Sequence, residues 1–203
     1  MARLSLKISS VKQKALMGGS LTDMAGTDKK RLRAELLARR AELSEEYMQA
    51  AGLSIQEKLL SSPLYKEARS LFVYVSMPGE PSTERILERA FADGKRVYVP
   101  KCIGREMLAV RIGGTEDLLP GTHGIPEPAD AEETATAEDL DLIIVPCVAA
   151  AADGRRLGHG GGYYDRFLRE ERENAVCLCF RELLCEEIPA EAHDVRIKHI
   201  ITE

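Results

Sequence analysis

Six short apolar runs, most of them rich in β-branched residues, constrain this chain more than any other feature. They are SLFVYVS (70–76), RVYVP (96–100), MLAVRI (107–112), DLIIVPCVA (141–149), AVCLCF (175–180) and HIIT (199–202). Each is too short for a buried helix and reads as a strand buried on both faces. Two helix-like segments lie between runs and two more precede the first. Thr27 can cap a helix over 28–43, where Leu32, Leu36 and Leu43 recur near helical spacing. Ser44 can cap a second over 45–61, ending near Pro63. Ser82 or Thr83 can cap a third, with Gly94 just past its end, and 163–172 reads as a fourth. Pro100 is expected to stop its strand, and 113–138 reads as loop. Strands alternating with helices imply βαβ units: an α/β fold in three α/β/α layers around a mostly parallel sheet. There is no internal repeat and no linker, so one domain is expected.

Composition narrows the function classes. The 203 residues are 44% hydrophobic and 30% charged, with a net charge of −5, so no global basic field suits a nucleic-acid partner. The five cysteines are odd in number and form no CxxC pair, which argues against a disulfide scaffold or zinc ribbon and for a reducing compartment. Cys177 and Cys179 alternate in an apolar run and read as buried strand residues. No run approaches the ~20 apolar residues of a membrane span. Lys7, Lys12 and Lys14 lack the apolar stretch of a signal peptide. Residues 1–26 therefore read as a flexible tail, with Met24 a candidate start, before a single domain over 27–203. A cytoplasmic monomer without a protein, nucleic-acid or membrane partner is expected.

Chemistry concentrates in GRRLGHGGGYYDRFL (154–168). It follows a strand and enters a helix, the position where open α/β sheets bind ligands. Gly158, Gly160, Gly161 and Gly162 permit close backbone approach, and their N–H groups with the helix start can face an anion. Arg155 and Arg156 add fixed charge, so a phosphate suits the loop better than an empty turn does. It is neither a P-loop nor a dinucleotide fingerprint, since Tyr163 stands where the third glycine would be. Asp165 can serve the helix dipole or, beside a phosphate, hold Mg²⁺. Lys29 and Arg33 share one helix face, either solvated or turned to a ligand. Glu80, in MPGEPST, is a loop carboxylate or an acceptor for a polar ligand. His123, His159, His193 and His199 show no metal-ligand spacing and read as mostly surface or loop residues.

Three blocks give the chain a family resemblance over about 28–203: KKRLR (29–33), VSMPGEPST (75–83) and GRRLGHGGGYYDRFL, with GIPEP (124–128) and HDVRIKHIIT (193–202) in support. The sequence resembles the 5-formyltetrahydrofolate cyclo-ligases. The resemblance implies a NagB/RpiA/CoA-transferase-like fold and an ATP- and Mg²⁺-dependent closure of 5-formyltetrahydrofolate to 5,10-methenyltetrahydrofolate, through a phosphorylated formyl group. It implies ATP binding by Lys29, Lys30, Arg31, Leu32 and Arg33 and by Arg156, Leu157, Gly158, His159, Gly160, Gly161, Gly162, Tyr163 and Tyr164. It implies folate contacts from Val75, Glu80 and His159 to Tyr163, magnesium on Asp165 and Asp194, and catalytic roles for Arg156 and Tyr163.

The sequence departs from the family pattern at Cys147, Ala150 and Ala151 after a strand, at Leu183 where glutamine is common, and at Lys198 where a second acid is common. Two other classes compete: a non-catalytic folate- or nucleotide-binding relative, and a sugar-phosphate isomerase on a similar scaffold. Retention of Arg156, Tyr163 and Asp165 speaks against the first, and the Lys29/Arg33 and Glu80 blocks speak against the second.

Overall fold

The computed structural model describes residues 21–121 and 124–203; the readings made for residues 1–20 and for His123 fall outside them. Among the described residues three helices come first, α1 (Leu21–Ala41), α2 (Glu45–Ser61) and α3 (Pro63–Glu67). The strand β1 (Ser70–Val73), helix α4 (Glu84–Ala92) and strand β2 (Arg96–Ile103) form a parallel βαβ unit. Then come β3 (Glu106–Ile112), β4 (Leu118–Pro120), β5 (Pro126–Pro128), β6 (Thr134–Ala135) and β7 (Leu142–Val145). The last part holds β8 (Ala149–Ala151), β9 (Arg156–Leu157), α5 (Tyr163–Leu168), β10 (Ala175–Leu178), β11 (Leu184–Cys185) and β12 (His199–Ile201).

The central sheet has the order β12-β10-β7-β1-β2-β3-β6. Its first five strands are parallel; at one edge β3 pairs antiparallel with β2, and β6 pairs antiparallel with β3. Helices flank it in the α/β/α arrangement expected. Leu71, Phe72, Ile143, Ile144, Val176 and Leu178 are wholly buried, as strands covered on both faces require. The ring of Phe72 lies 4.8 Å from Phe167 and 6.0 Å from Tyr164, which roots α5 in the core. Chain direction reverses in the strand order between β7 and β1. The segments leaving them, Tyr74–Val75 and Pro146, open onto one cavity at that switch point.

Several local expectations change. The helix expected from Thr27 begins at Leu21 and Thr27 lies inside it. No proline interrupts 21–26, and one interior glycine costs only about 1 kcal/mol. Ser44 does cap α2, its hydroxyl accepting from Tyr47 N at 3.1 Å. Thr83 stands at the α4 cap, but its hydroxyl donates to Tyr74 O instead. Strand β2 passes through Pro100, because its register with β1 ends at Tyr98 and an absent N–H beyond that point leaves no β1 partner unmet. The run 141–149 splits: β7 joins the central sheet, while β8 pairs with β9 and β11 in a small second sheet. Helix α5 stops at Leu168, where Arg169 takes φ +63° and ends the turn.

Asp141 staples the starts of β1 and β7, accepting from Arg69 N, Ser70 N and Ser70 Oγ at 2.9, 2.9 and 3.0 Å. Burial pushes its carboxyl up, but these hydrogen bonds outweigh it and hold the pKa below the usual value. A carboxyl depressed in the folded state contributes stability above its unfolded pKa of about 3.9 and loses it as pH falls through the folded pKa. Asp141→Asn is therefore expected to lower the thermal midpoint at pH 7. The gap from the unsubstituted protein should close at acid pH, as measured by circular dichroism melts across pH 2–7; a gap independent of pH would contradict this role.

Candidate active site

The glycine loop runs from the end of β9 to the start of α5. Gly160 and Gly162 take φ +104° and +65°, the left-handed region that a side chain resists, so the chain can turn from strand to helix in five residues. The loop forms one wall of a cavity of about 500 Å³. Helix α1 contributes Lys29 and Arg33, the segment after β1 contributes Val75, Met77 and Glu80, and the β2–β3 hairpin contributes Cys102 and Met107.

Charged groups in this cavity are paired tightly. Arg156, almost wholly buried, donates to Asp165 Oδ1 at 3.0 Å, and the same oxygen accepts Val195 N at 3.0 Å. Its Nε is buried without an acceptor among the described residues. An unmet donor of this kind costs stability and is tolerated where function needs it. Arg33 Nε donates to Gly158 O at 2.6 Å, which lays its guanidinium along the glycine loop. Lys29 Nζ donates to Glu191 Oε2 at 2.8 Å and also to Asp194. Glu80 is held twice, accepting Met77 N at 2.9 Å and lying 3.1 Å from His159 Nε2. Burial, with the Glu80 charge adding to it, pushes the phenols of Tyr74 and Tyr164 well up, so both stay protonated. The arrangement offers cations and backbone amides to an anion on one side and a fixed carboxylate to a hydrogen-bond donor on the other.

Most residues singled out in the sequence line this cavity: Lys29, Arg33, Val75, Glu80, the run Arg156 to Asp165, and Asp194. Lys30 and Arg31 are exposed, and Leu32 packs against the core. Asp165 and Asp194 come to the same cavity, yet Asp165 stands apart from the close acidic group. That group is Glu191, His193 and Asp194, whose ligand-type atoms lie within 4.8 Å of one another. His193, read as a loop histidine, thus faces two acids. Glu191 carried a signal that went unused: an acid three residues before Asp194 in EAHD. Cys102, Met107, Ile125 and Glu127 also line the cavity. Ile125 and Glu127 belong to the GIPEP block, whereas Cys102 and Met107 carry no motif, because a hairpin wall is recognisable only once β2 and β3 are paired.

Fold and site together are those of an α/β enzyme, with a glycine-walled cavity lined by both cationic and acidic side chains at the switch point of its sheet. The sequence model of the 5-formyltetrahydrofolate cyclo-ligase family matches residues 25–203. The mouse 5-formyltetrahydrofolate cyclo-ligase is 32% identical over 189 residues, 86% of this chain and 93% of that protein. The Escherichia coli K12 enzyme of the same name is 29% identical, over 81% of this chain and 94% of its own. Among solved structures, the Aquifex aeolicus 5,10-methenyltetrahydrofolate synthetase superposes with a TM-score of 0.76 at 31% identity, covering 85% of this chain and 88% of that one. The chain belongs to the 5-formyltetrahydrofolate cyclo-ligase family, and it is an enzyme of that kind.

Asp165 anchors the buried Arg156, so its removal acts on stability as well as on the site. A hydrogen bond to a charged group contributes about 1.5–3 kcal/mol. Asp165→Asn is expected to lose about that much in urea unfolding. An unchanged midpoint would mean that Arg156 finds another partner.

Proposed function

We propose that the protein converts 5-formyltetrahydrofolate to 5,10-methenyltetrahydrofolate while ATP is cleaved to ADP and phosphate. One observation carries the reading most: a single cavity holds a pinned carboxylate, Glu80, facing a glycine loop bordered by Lys29, Arg33 and Arg156. The pterin edge is rich in N–H donors, which suits Glu80 with His159 beside it. The nucleotide phosphates suit the loop amides, Lys29, Arg33 and Arg156, with Leu157 to Tyr164 along the loop. Val75 and the His159–Tyr163 segment would meet the folate. Two of the five residues of the 29–33 block, Lys29 and Arg33, are the ones in reach of the nucleotide.

The formyl oxygen is a poor leaving group, so the reaction needs it activated. The formyl oxygen attacks the γ-phosphorus, forming an O–P bond as the bond to the ADP oxygen breaks. N10 then attacks the formyl carbon, the C–O bond breaks, phosphate leaves with the formyl oxygen, and the N10 proton passes to water. The protein supplies positioning and charge, and Arg156, close to the loop, would stabilise the transferring group. Tyr163 would border the reacting centre. No protein nucleophile is required.

Mg²⁺ fits the donor set: Glu191 and Asp194 already converge on one cation, the Lys29 ammonium, and present the hard oxygens this ion takes. Asp194 would hold it with Glu191, and Asp165 would lie behind them on Arg156. When bound, the ion would neutralise phosphate charge. No helix among the described residues is long and apolar enough to cross a membrane, and we infer a cytoplasmic location from the free cysteines.

Two measurements test this. Lys29→Ala is expected to raise the KM for ATP about tenfold or more, with a smaller change for folate, since it removes a charge from the phosphate end. An unchanged ATP KM would remove Lys29 from the nucleotide site. With heavy oxygen in the formyl group, a single turnover is expected to deliver the label to inorganic phosphate. Label found only in water would overturn the phosphorylated intermediate.

A further inference from the structure

The hairpin between β2 and β3 turns in two residues, Gly104 and Arg105, with Gly104 at φ +60°. Nothing in the sequence ties this turn to the glycine loop, nearly sixty residues away. In the structure the two are fastened together. Arg166 donates through Nε and Nη2 to Arg105 O at 2.9 and 2.6 Å, and through Nη2 to Gly161 O at 2.9 Å. Tyr163 OH donates to Gly104 O at 2.9 Å. The Arg166 guanidinium lies over the Tyr163 ring, 5.1 Å from its centroid. The loop is built around this contact. A Cβ on Gly161 would come within 2.8 Å of the Tyr163 ring, and one on Gly162 within 2.7 Å of Arg166 Nη1. Two of the glycines that look made for a ligand also clear room for these side chains.

The hairpin matters to the cavity because Pro100, Cys102 and Met107 line it from the two strands just behind the turn. The β1 register ends at Tyr98, β6 pairs with β3 only at Ala109 and Val110, and Lys101 ties β2 to Pro128 O and Ala129 O at 2.7 and 2.5 Å, but the turn itself, residues 103–106, is exposed beyond these contacts. We propose that Arg166 is a positioning residue for the reaction: it clasps the β2–β3 turn to the glycine loop and thereby fixes the distance between the two walls that enclose the substrates. A guanidinium suits this task because its rigid planar fork holds carbonyls of both partners in one fixed geometry, whereas an ammonium on a flexible stem sets their separation less tightly. The positioning role rests on the reading of the cavity as the folate and nucleotide site.

The test uses the full chain with Arg166→Ala, Arg166→Lys and Gly104→Ala. The last strains the turn at its positive φ, where an added Cβ meets nothing within 4 Å, so it disturbs the clasp from the other side without touching Arg166. Amide exchange followed by mass spectrometry is expected to rise about tenfold or more over 103–107 in Arg166→Ala, with the central strands unchanged. The KM for 5-formyltetrahydrofolate is expected to rise about tenfold, with kcat changed by less than about threefold. Arg166→Lys should recover part of the KM, and Gly104→Ala should reproduce the rise. A role in stability alone would give fewer folded molecules, lowering apparent kcat and leaving KM as it was. Unchanged exchange over 103–107 overturns the clasp. A loosened turn with unchanged KM overturns the positioning role. If Arg166→Ala does not fold, Gly104→Ala decides by the same two readouts. An unsubstituted protein that closes no 5-formyltetrahydrofolate overturns the functional reading, and the positioning role with it, while the exchange result still decides the clasp.

Discussion

The ion pair between Arg156 and Asp165 is the contact on which the rest of the site depends. One partner lies in the two-residue strand β9 and the other sits in the first turn of α5, so the glycine loop between them is held at both ends. Glycines at these positions would otherwise leave the loop without a fixed shape. The pair is buried, where charge interactions are strong and an orphaned partner is costly. Val195 adds its N–H to the same carboxylate oxygen and brings the segment carrying Glu191 and Asp194 to the loop. A single carboxylate thus sets the position of the arginine, the loop and the acidic group together.

Behind that contact stands the sheet. Phe72 meets Phe167 and Tyr164, so α5 cannot shift without disturbing β1. Glu80 reaches the same cavity from the segment that follows β1. The carboxylate and the glycine loop are therefore mounted on one strand and on the helix that packs against it, and their separation is a property of the core.

The sequence made the strands legible because a parallel sheet buries both faces and leaves unbroken apolar runs such as LFV and LIIV. It made the glycine loop legible because arginine, glycine and a helix start coincide there. Pro100 misled, since its cost depends on whether a neighbouring strand asks for its N–H, and that is a matter of register. Thr27 misled because a good capping residue can also sit within a helix whose start is set upstream. Glu191, His193 and the hairpin wall were hidden for a different reason: they act through proximity to residues far along the chain. Arg166 stood inside the recognised motif, but its partners are backbone carbonyls of a distant turn, and a carbonyl leaves no trace in a sequence.

Lys29 has a consequence of its own. In the free protein its ammonium is already matched by Glu191 and Asp194, so this end of the cavity does not present a naked positive charge. An incoming anion must compete with two carboxylates that the fold supplies at very high local concentration. A lone phosphate or sulfate ion, which brings nothing to replace those partners, is a weak competitor. A ligand that arrives with its own divalent counter-ion satisfies the lysine and the acids in one exchange. A cavity that binds nucleotide as proposed would thereby favour a metal-bound polyphosphate over simple anions, before any base or sugar is recognised.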